Sequence, residues 1–476
     1  MRLWLVLVPL LVGCPDVGPA ADDDGGSDAA VEADVLQPPP IQRTKSETEL
    51  APERAACAFQ AGAWPAETIG IENPIGSDIP IDHVIVIMQE NRSFDHYLGQ
   101  LVAQGYYQPT ELDGPPQGWS MSDGQGNTVV PHPDDTYCFT ANHSWNDMHD
   151  DWDNGLNDHF VTNNAPNGQK SLYYEDDTVI PFYYALANTF SVGDRYFASV
   201  MTSTWPNRFY FMAATSFGIG DNSFDTLDTA DHPSAQLMSL LDQAGRTWRD
   251  YTDGPHQIEF FSWYGWQHST LQNLKDMKCA LFTDIQNNTL PDVAIVMGSE
   301  VGETSDEGPS ALPGIGESMI EGLLRALFAS PEWARTAVFI TYDENGGTAD
   351  HVPPAQACPP DNLAPHDTNG NPLDGAFDHT GFRVPFIVVS PYAKKHFVSH
   401  VVHDHTSLTR FIEARFGLPA LTARDANSSP PYEAFDFQNP PFMTPPTIAA
   451  TTAGSKSITS SVLSTCGQTE VALGCP

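Results

Sequence analysis

HVIVIMQENRSFDH, residues 83–96, decides how this chain folds. Its first six residues, His83–Met88, are apolar without alternation and rich in β-branched side chains. That pattern belongs to a strand covered on both faces, as in a parallel sheet. Three further runs repeat it: Asp292–Met297 (DVAIVM), Thr336–Thr341 (TAVFIT) and Val384–Ser390 (VPFIVVS). Helical stretches lie between or after them. Gly316–Ala329 carries apolar residues at helical spacing, and Thr406–Phe416 ends at Gly417, a C-cap residue. Strands alternating with helices predict an α/β fold, a doubly wound and mostly parallel sheet with helices on both faces. With 40 Pro and 36 Gly, loop-rich insertions are expected around it.

Outside these runs, composition sets limits. Among 476 residues, 61 acids face 21 bases, for a formal net charge of -40. Such a chain repels polyanions, so nucleic acid is excluded as a partner. Met1–Gly13 has one basic residue and an apolar run too short to span a bilayer. Leu11-Val12-Gly13-Cys14 resembles a bacterial lipobox, which makes residues 1–13 a lipoprotein signal and Cys14 the lipidated residue. The expected location is therefore the cell envelope, exported and held to a membrane by lipid, on the periplasmic side or at the surface. Residues 14–53 are rich in Asp, Ala, Gly and Pro and read as a disordered acidic tether. The folded domain is expected over 54–476, with 427–476 a Pro/Ser/Thr-rich loop wrapped on it. Six further cysteines suggest disulfides in an exported chain, and Cys466–Cys475 closes the shortest loop.

Chemistry gathers after the strands. His83–Met88 is followed by Gln89-Glu90-Asn91, and Thr336–Thr341 by Tyr342-Asp343-Glu344. Ligands bind beyond the carboxyl ends of strands in open α/β sheets. Carboxylates placed there repel one another unless a cation lies between them. Glu90, Asn91, Asp343 and Glu344 offer hard oxygen donors, suited to Ca, Mg or Mn and less selectively to Fe or Zn. The competing reading is that they are ordinary turn and cap residues.

A hydroxyl completes the set. Thr204 lies just ahead of Pro206, which fits the first turn of a helix. The N–H groups of such a turn bind phosphate, and a nearby metal would lower the hydroxyl pKa. A simple helix cap is the plainer alternative for Thr204. Of 16 histidines, His143, His351 and His405 are the candidates for phosphoryl contacts or acid catalysis.

Four stretches taken in order resemble the bacterial phosphoesterase family of phospholipases C and acid phosphatases. They are residues 81–99 (IDHVIVIMQENRSFDHYLG), 194–216 (DRYFASVMTSTWPNRFYFMAATS), 336–356 (TAVFITYDENGGTADHVPPAQ), and 381–395 with 403–419 (GFRVPFIVVSPYAKK, HDHTSLTRFIEARFGLP). The resemblance implies an alkaline phosphatase-like domain and a metal-assisted phosphoenzyme mechanism on phosphoester or phospholipid substrates. It implies Glu90, Asn91, Asp343 and Glu344 as metal ligands, Thr204 as nucleophile and His143 in the phosphate pocket. Two departures stand out. Thr202-Ser203 replaces the family's Gly-Pro before the nucleophile, and Gly308 stands where the family has a histidine in Glu-His-Pro. Gly308 supports the rival expectation of a weakened or non-enzymatic surface binding lipoprotein on the same fold. No GxSxG elbow follows a strand, so a serine hydrolase is not expected.

Overall fold

A computed structural model describes residues 36–134, 139–222, 236–252, 273–275, 277–298, 305–309 and 311–448. At its centre lies an eight-stranded sheet. In chain order its strands are β1 (His83–Gln89), β2 (Ser191–Gly193), β3 (Trp248–Tyr251), β4 (Leu274–Lys275), β5 (Val293–Val296), β6 (Thr336–Tyr342), β7 (Phe386–Val389) and β8 (Phe397–Ser399). Across the sheet they run β8-β2-β7-β6-β1-β5-β3-β4. The four predicted runs are the four consecutive strands β7, β6, β1 and β5. Val84–Met88 are all 0 % exposed, which explains the unbroken apolar pattern. Burying each such side chain contributes about 1.5–3 kcal/mol.

Strand β1 pairs in parallel with β6 on one side and β5 on the other, and most of the sheet is parallel. The exception is β7, which is antiparallel to both β6 and β2. Its apolar run matches that of its neighbours because burial on both faces fixes composition, not direction. No helix intervenes between β6 and β7 among the described residues, and an antiparallel partner needs no helical crossover.

Several helices surround the sheet in sequence. Those used below are α1 (Glu47–Ala55), α2 (Trp145–Trp152), α3 (Pro181–Thr189), α4 (Thr204–Ala213), α5 (Pro313–Ala329) and α6 (His405–Phe416). Helix α6 ends as expected at Gly417, with φ of 67°. Helix α5 starts three residues before the predicted Gly316, because Pro313 supplies a helical φ at its first position. Among the described residues no helix is long and apolar enough to cross a membrane.

Helix α1 lies largely before residue 54, inside the segment expected to be a tether. Ser46 caps α1 through a capping box with Glu49, and Leu50 and Arg54 are buried. Local helix-capping chemistry thus overrides the acidic composition there. Residues 427–448, the described part of the segment read as a C-terminal loop, pack against the rest of the chain. Phe435 stacks on Phe411, and the Phe442 carbonyl accepts from Trp333 Nε1 at 2.7 Å. Cys14, Cys466 and Cys475 lie outside the described residues. Among the described residues a disulfide joins Cys57 to Cys358, 301 residues apart. It ties the segment after α1 to the loop between β6 and β7. Removing it by Cys57→Ser or by reduction is expected to lower stability by about 2–4 kcal/mol. Calorimetry with and without reductant checks this, and an unchanged Tm would contradict it.

Candidate active site

Strand register brings the two acidic turns together. Gln89 is the register partner of Tyr342, and the Asp343 N–H donates to the Gln89 carbonyl at 3.0 Å. Glu90 and Asp343 therefore leave the sheet side by side. The Asn91 N–H then donates to Asp343 Oδ1 at 2.9 Å. Gly346 and Gly347 are needed to finish this turn. Both have positive φ, 60° and 67°, and a Cβ would lie 2.4 Å from the Asn91 carbonyl and 2.3 Å from the Asn142 carbonyl respectively. The second close approach docks the 141–143 loop and sets His143 Nε2 3.8 Å from Glu344 Oε1.

Between the two carboxylates lies Arg208, a fully buried guanidinium from α4. It pairs with Glu90 Oε1 and places Nε 3.5 Å from Asp343 Oδ2. It also donates to the Met88 and Gln89 carbonyls at 3.3 Å. Sequence reasoning expected a cation here and missed that one is supplied by the chain. The signal was Arg208 itself, one turn after Thr204 in TSTWPNR.

Thr204 opens α4, two positions ahead of Pro206, and Ser203 occupies the N-cap without a side-chain cap bond. The Thr204 hydroxyl does not cap the helix. It donates to Glu90 Oε2 at 3.2 Å, which sets it against the acidic turns.

The donor set suits a cation. Asn91 Oδ1, Asp343 Oδ2 and Glu344 Oε1 are buried and accept no hydrogen bond. Burial first, and the Asp343 charge second, push the Glu344 carboxyl well above the usual range. Leaving such oxygens buried is costly unless a positive group meets them. Three tighter acid–histidine groups able to hold a metal ion occur elsewhere among the described residues: Asp95/Asp350/His351, His96/Asp134/Glu175 and Asp153/Asp158/His159.

Two predicted histidines serve other contacts. His405 is buried, with Nε2 2.7 Å from the Asp343 carbonyl oxygen and Nδ1 3.1 Å from the Tyr196 hydroxyl. Burial holds its pKa below the ordinary value, so it grips the Asp343 main chain as a neutral ring. His351 has Nδ1 2.7 Å from Asp95 Oδ2 and Nε2 3.2 Å from Asp113 Oδ1. Arg383 completes that network, with 2.8 Å bonds to Asp95 and Asp350. The residue type was legible, but its partners come from distant segments.

The Phosphoesterase family profile matches residues 81–419. A non-hemolytic phospholipase C of Burkholderia pseudomallei is 31% identical over 392 residues, covering 71% of this chain and 55% of that protein. The chain thus spans little more than half the length of that relative. Phospholipase C B of Mycobacterium tuberculosis is 29% identical over 450 residues, covering 82% of this chain and 85% of that one. A solved alkaline phosphatase superfamily protein from Vibrio parahaemolyticus aligns over 81% of this chain and 78% of that one, at 7% identity and TM-score 0.38. The sequence matches define the class, a hydrolase of phosphoric esters. The chain belongs to the Phosphoesterase family.

The His351 network gives a pH signature. Burial opposes its protonation, but Asp95 overrides this and raises the pKa above 6.5. The folded state thus holds a proton that the unfolded state releases. The stabilisation is complete below about pH 6.5 and is lost as pH rises through the raised pKa. Chemical denaturation across pH 5–9 should show this fall in the wild type and a flatter profile in His351→Gln. Identical profiles would contradict the assignment.

Proposed function

We propose that the protein is an exported, lipid-anchored phosphoesterase of phospholipase C type, with Thr204 as nucleophile. The observation that carries this reading is the 3.2 Å hydrogen bond from Thr204 Oγ1 to Glu90 Oε2, at the first turn of a helix beside two acidic strand ends. The relatives' names support a phospholipid substrate, and the lipobox-like sequence at Cys14 would keep the enzyme at a membrane surface.

Glu90, Asn91, Asp343 and Glu344 would hold a divalent cation. Bound there, it would supply Lewis-acid charge that favours an alkoxide and stabilises a phosphoryl group. The chain's own part follows from its geometry. Arg208 fixes one Glu90 oxygen and leaves the other facing Thr204 Oγ1. Thr204 Oγ1 attacks phosphorus as its proton passes to Glu90 Oε2; the bond to the leaving oxygen breaks, and the proton then passes from Glu90 to that oxygen, which departs as the alcohol. His143, on the loop beside Glu344, would donate to a phosphoryl oxygen. Water then hydrolyses the phosphothreonine and releases the phosphorylated head group.

Thr204→Ala tests the nucleophile. It should lower kcat on p-nitrophenylphosphorylcholine and phospholipid vesicles by at least about 1000-fold. One hydrogen bond to a charged group is worth only about 1.5–3 kcal/mol, so the variant should stay folded. Thr204→Ser should keep part of the rate, because the attacking oxygen persists. An alanine variant with near wild-type kcat would overturn the assignment.

A further inference from the structure

Outside the central sheet a short parallel ladder repeats the device of the active site. His132–Pro133 pairs with Tyr173–Tyr174, with His132 opposite Tyr173 and Pro133 opposite Tyr174. The Asp134 N–H donates to the Tyr174 carbonyl at 2.9 Å, so Asp134 and Glu175 leave the ladder side by side. The Glu175 N–H in turn donates to the His96 carbonyl at 2.7 Å. His96 sits on a single helical turn, Phe94–Tyr97, which Ser93 caps just after the first acidic turn. Three segments distant in sequence thus bring one imidazole and two carboxylates together. One donor atom from each lies within 4.8 Å of the others.

The three residues are nearly inaccessible: His96 is 3 %, Asp134 6 % and Glu175 1 % exposed. Water cannot solvate charge placed there, so a positive group has to balance it. The Arg92 guanidinium is shared by Asp134, Glu175 and a third buried carboxylate, Glu307. Arg92 also binds the Glu307 carbonyl at 2.8 Å, the Gly308 carbonyl at 3.5 Å and His96 Nε2 at 3.4 Å. The Asp95/Asp350/His351 group differs, because Arg383 binds both of its acids at 2.8 Å and fills that space. The third acid–histidine group has its Asp158 exposed to solvent.

His96 is poorly bonded for so buried a ring. Its Nδ1 makes no hydrogen bond, and its Nε2 stands 4.0 Å from Glu175 Oε1. That gap is too long for a hydrogen bond. Two ligands flanking one ion, each about 2.0–2.2 Å from it, lie about that far apart. Burial and the Arg92 charge keep the imidazole neutral, the form that binds metal.

We propose that His96, Asp134 and Glu175 hold a divalent ion, Zn or Mn, at a site separate from the strand ends. An imidazole with two carboxylates matches the donor preferences of those ions. With one negative charge met by Arg92, a divalent ion balances the remaining two. Bound there, it would tie the 132–134 and 173–175 segments to the helical turn that follows Glu90–Arg92. The proposal does not rest on the strand-end cation.

The test uses the metal-free full chain carrying Glu344→Gln, which removes a ligand from the strand-end site. After dialysis against Zn or Mn, metal content by mass spectrometry should show about one equivalent bound, and the ion should raise the melting temperature. Loss of an outer partner of a metal site typically costs about 10–100-fold in affinity, and adding Glu175→Gln, which removes a ligand, should cost at least that. Undiminished binding in the folded double variant would overturn the site. So would a folded Glu344→Gln protein that binds neither ion, since Arg92 would then balance the cluster alone. Neither result bears on Thr204. If the double variant does not fold, His96→Gln in the same background carries the test: the bound equivalent should be lost, and its retention would overturn the proposal.

Discussion

The Arg208 guanidinium holds the chemical end of the sheet together. It is fully buried, it pairs with Glu90, and it faces Asp343. Without it, two carboxylates leaving adjacent parallel strands would face each other in a poorly solvated space. Removing one partner of a buried ion pair typically costs about 3–5 kcal/mol, because the other charge stays buried and unmet. Its carbonyl partners, Met88 and Gln89, are the last residues of the central strand. Helix α4 is therefore fixed to the end of β1, and Thr204, one turn earlier on that helix, is fixed with it. The position of the hydroxyl is a consequence of where the arginine sits.

The same economy extends through the molecule. The chain has 21 basic residues against 61 acids, yet Arg92, Arg208, Arg383 and Arg410 are fully buried. Each meets carboxylates or carbonyls inside the fold. Arg383 binds Asp95 and Asp350, and Arg410 binds Glu413. Scarce cations serve as internal ties.

Much of this was legible in the sequence where local physics fixes the outcome. Strands β1, β5 and β6 stood out because burial on both faces leaves an unbroken apolar run. The direction of β7 did not, because burial is indifferent to direction. Strands of two or three residues, such as β2 and β4, carry too little pattern to read. Glu90 and Asp343 could be paired because both follow buried strands directly. His351 and His405 were recognisable as chemically able, but which atoms they face depends on segments far away in the chain. Cys57–Cys358 escaped for the same reason, since 301 residues separate the two.

The central claim is that Thr204 attacks phosphorus, and trapping tests it most directly. Enzyme mixed with substrate and quenched in acid within a turnover is digested and examined by mass spectrometry. The account predicts a phosphoryl group on the peptide carrying Thr204, absent when substrate is omitted. A phosphoryl group on another residue, or full turnover with no phosphoenzyme at any quench time, would contradict it.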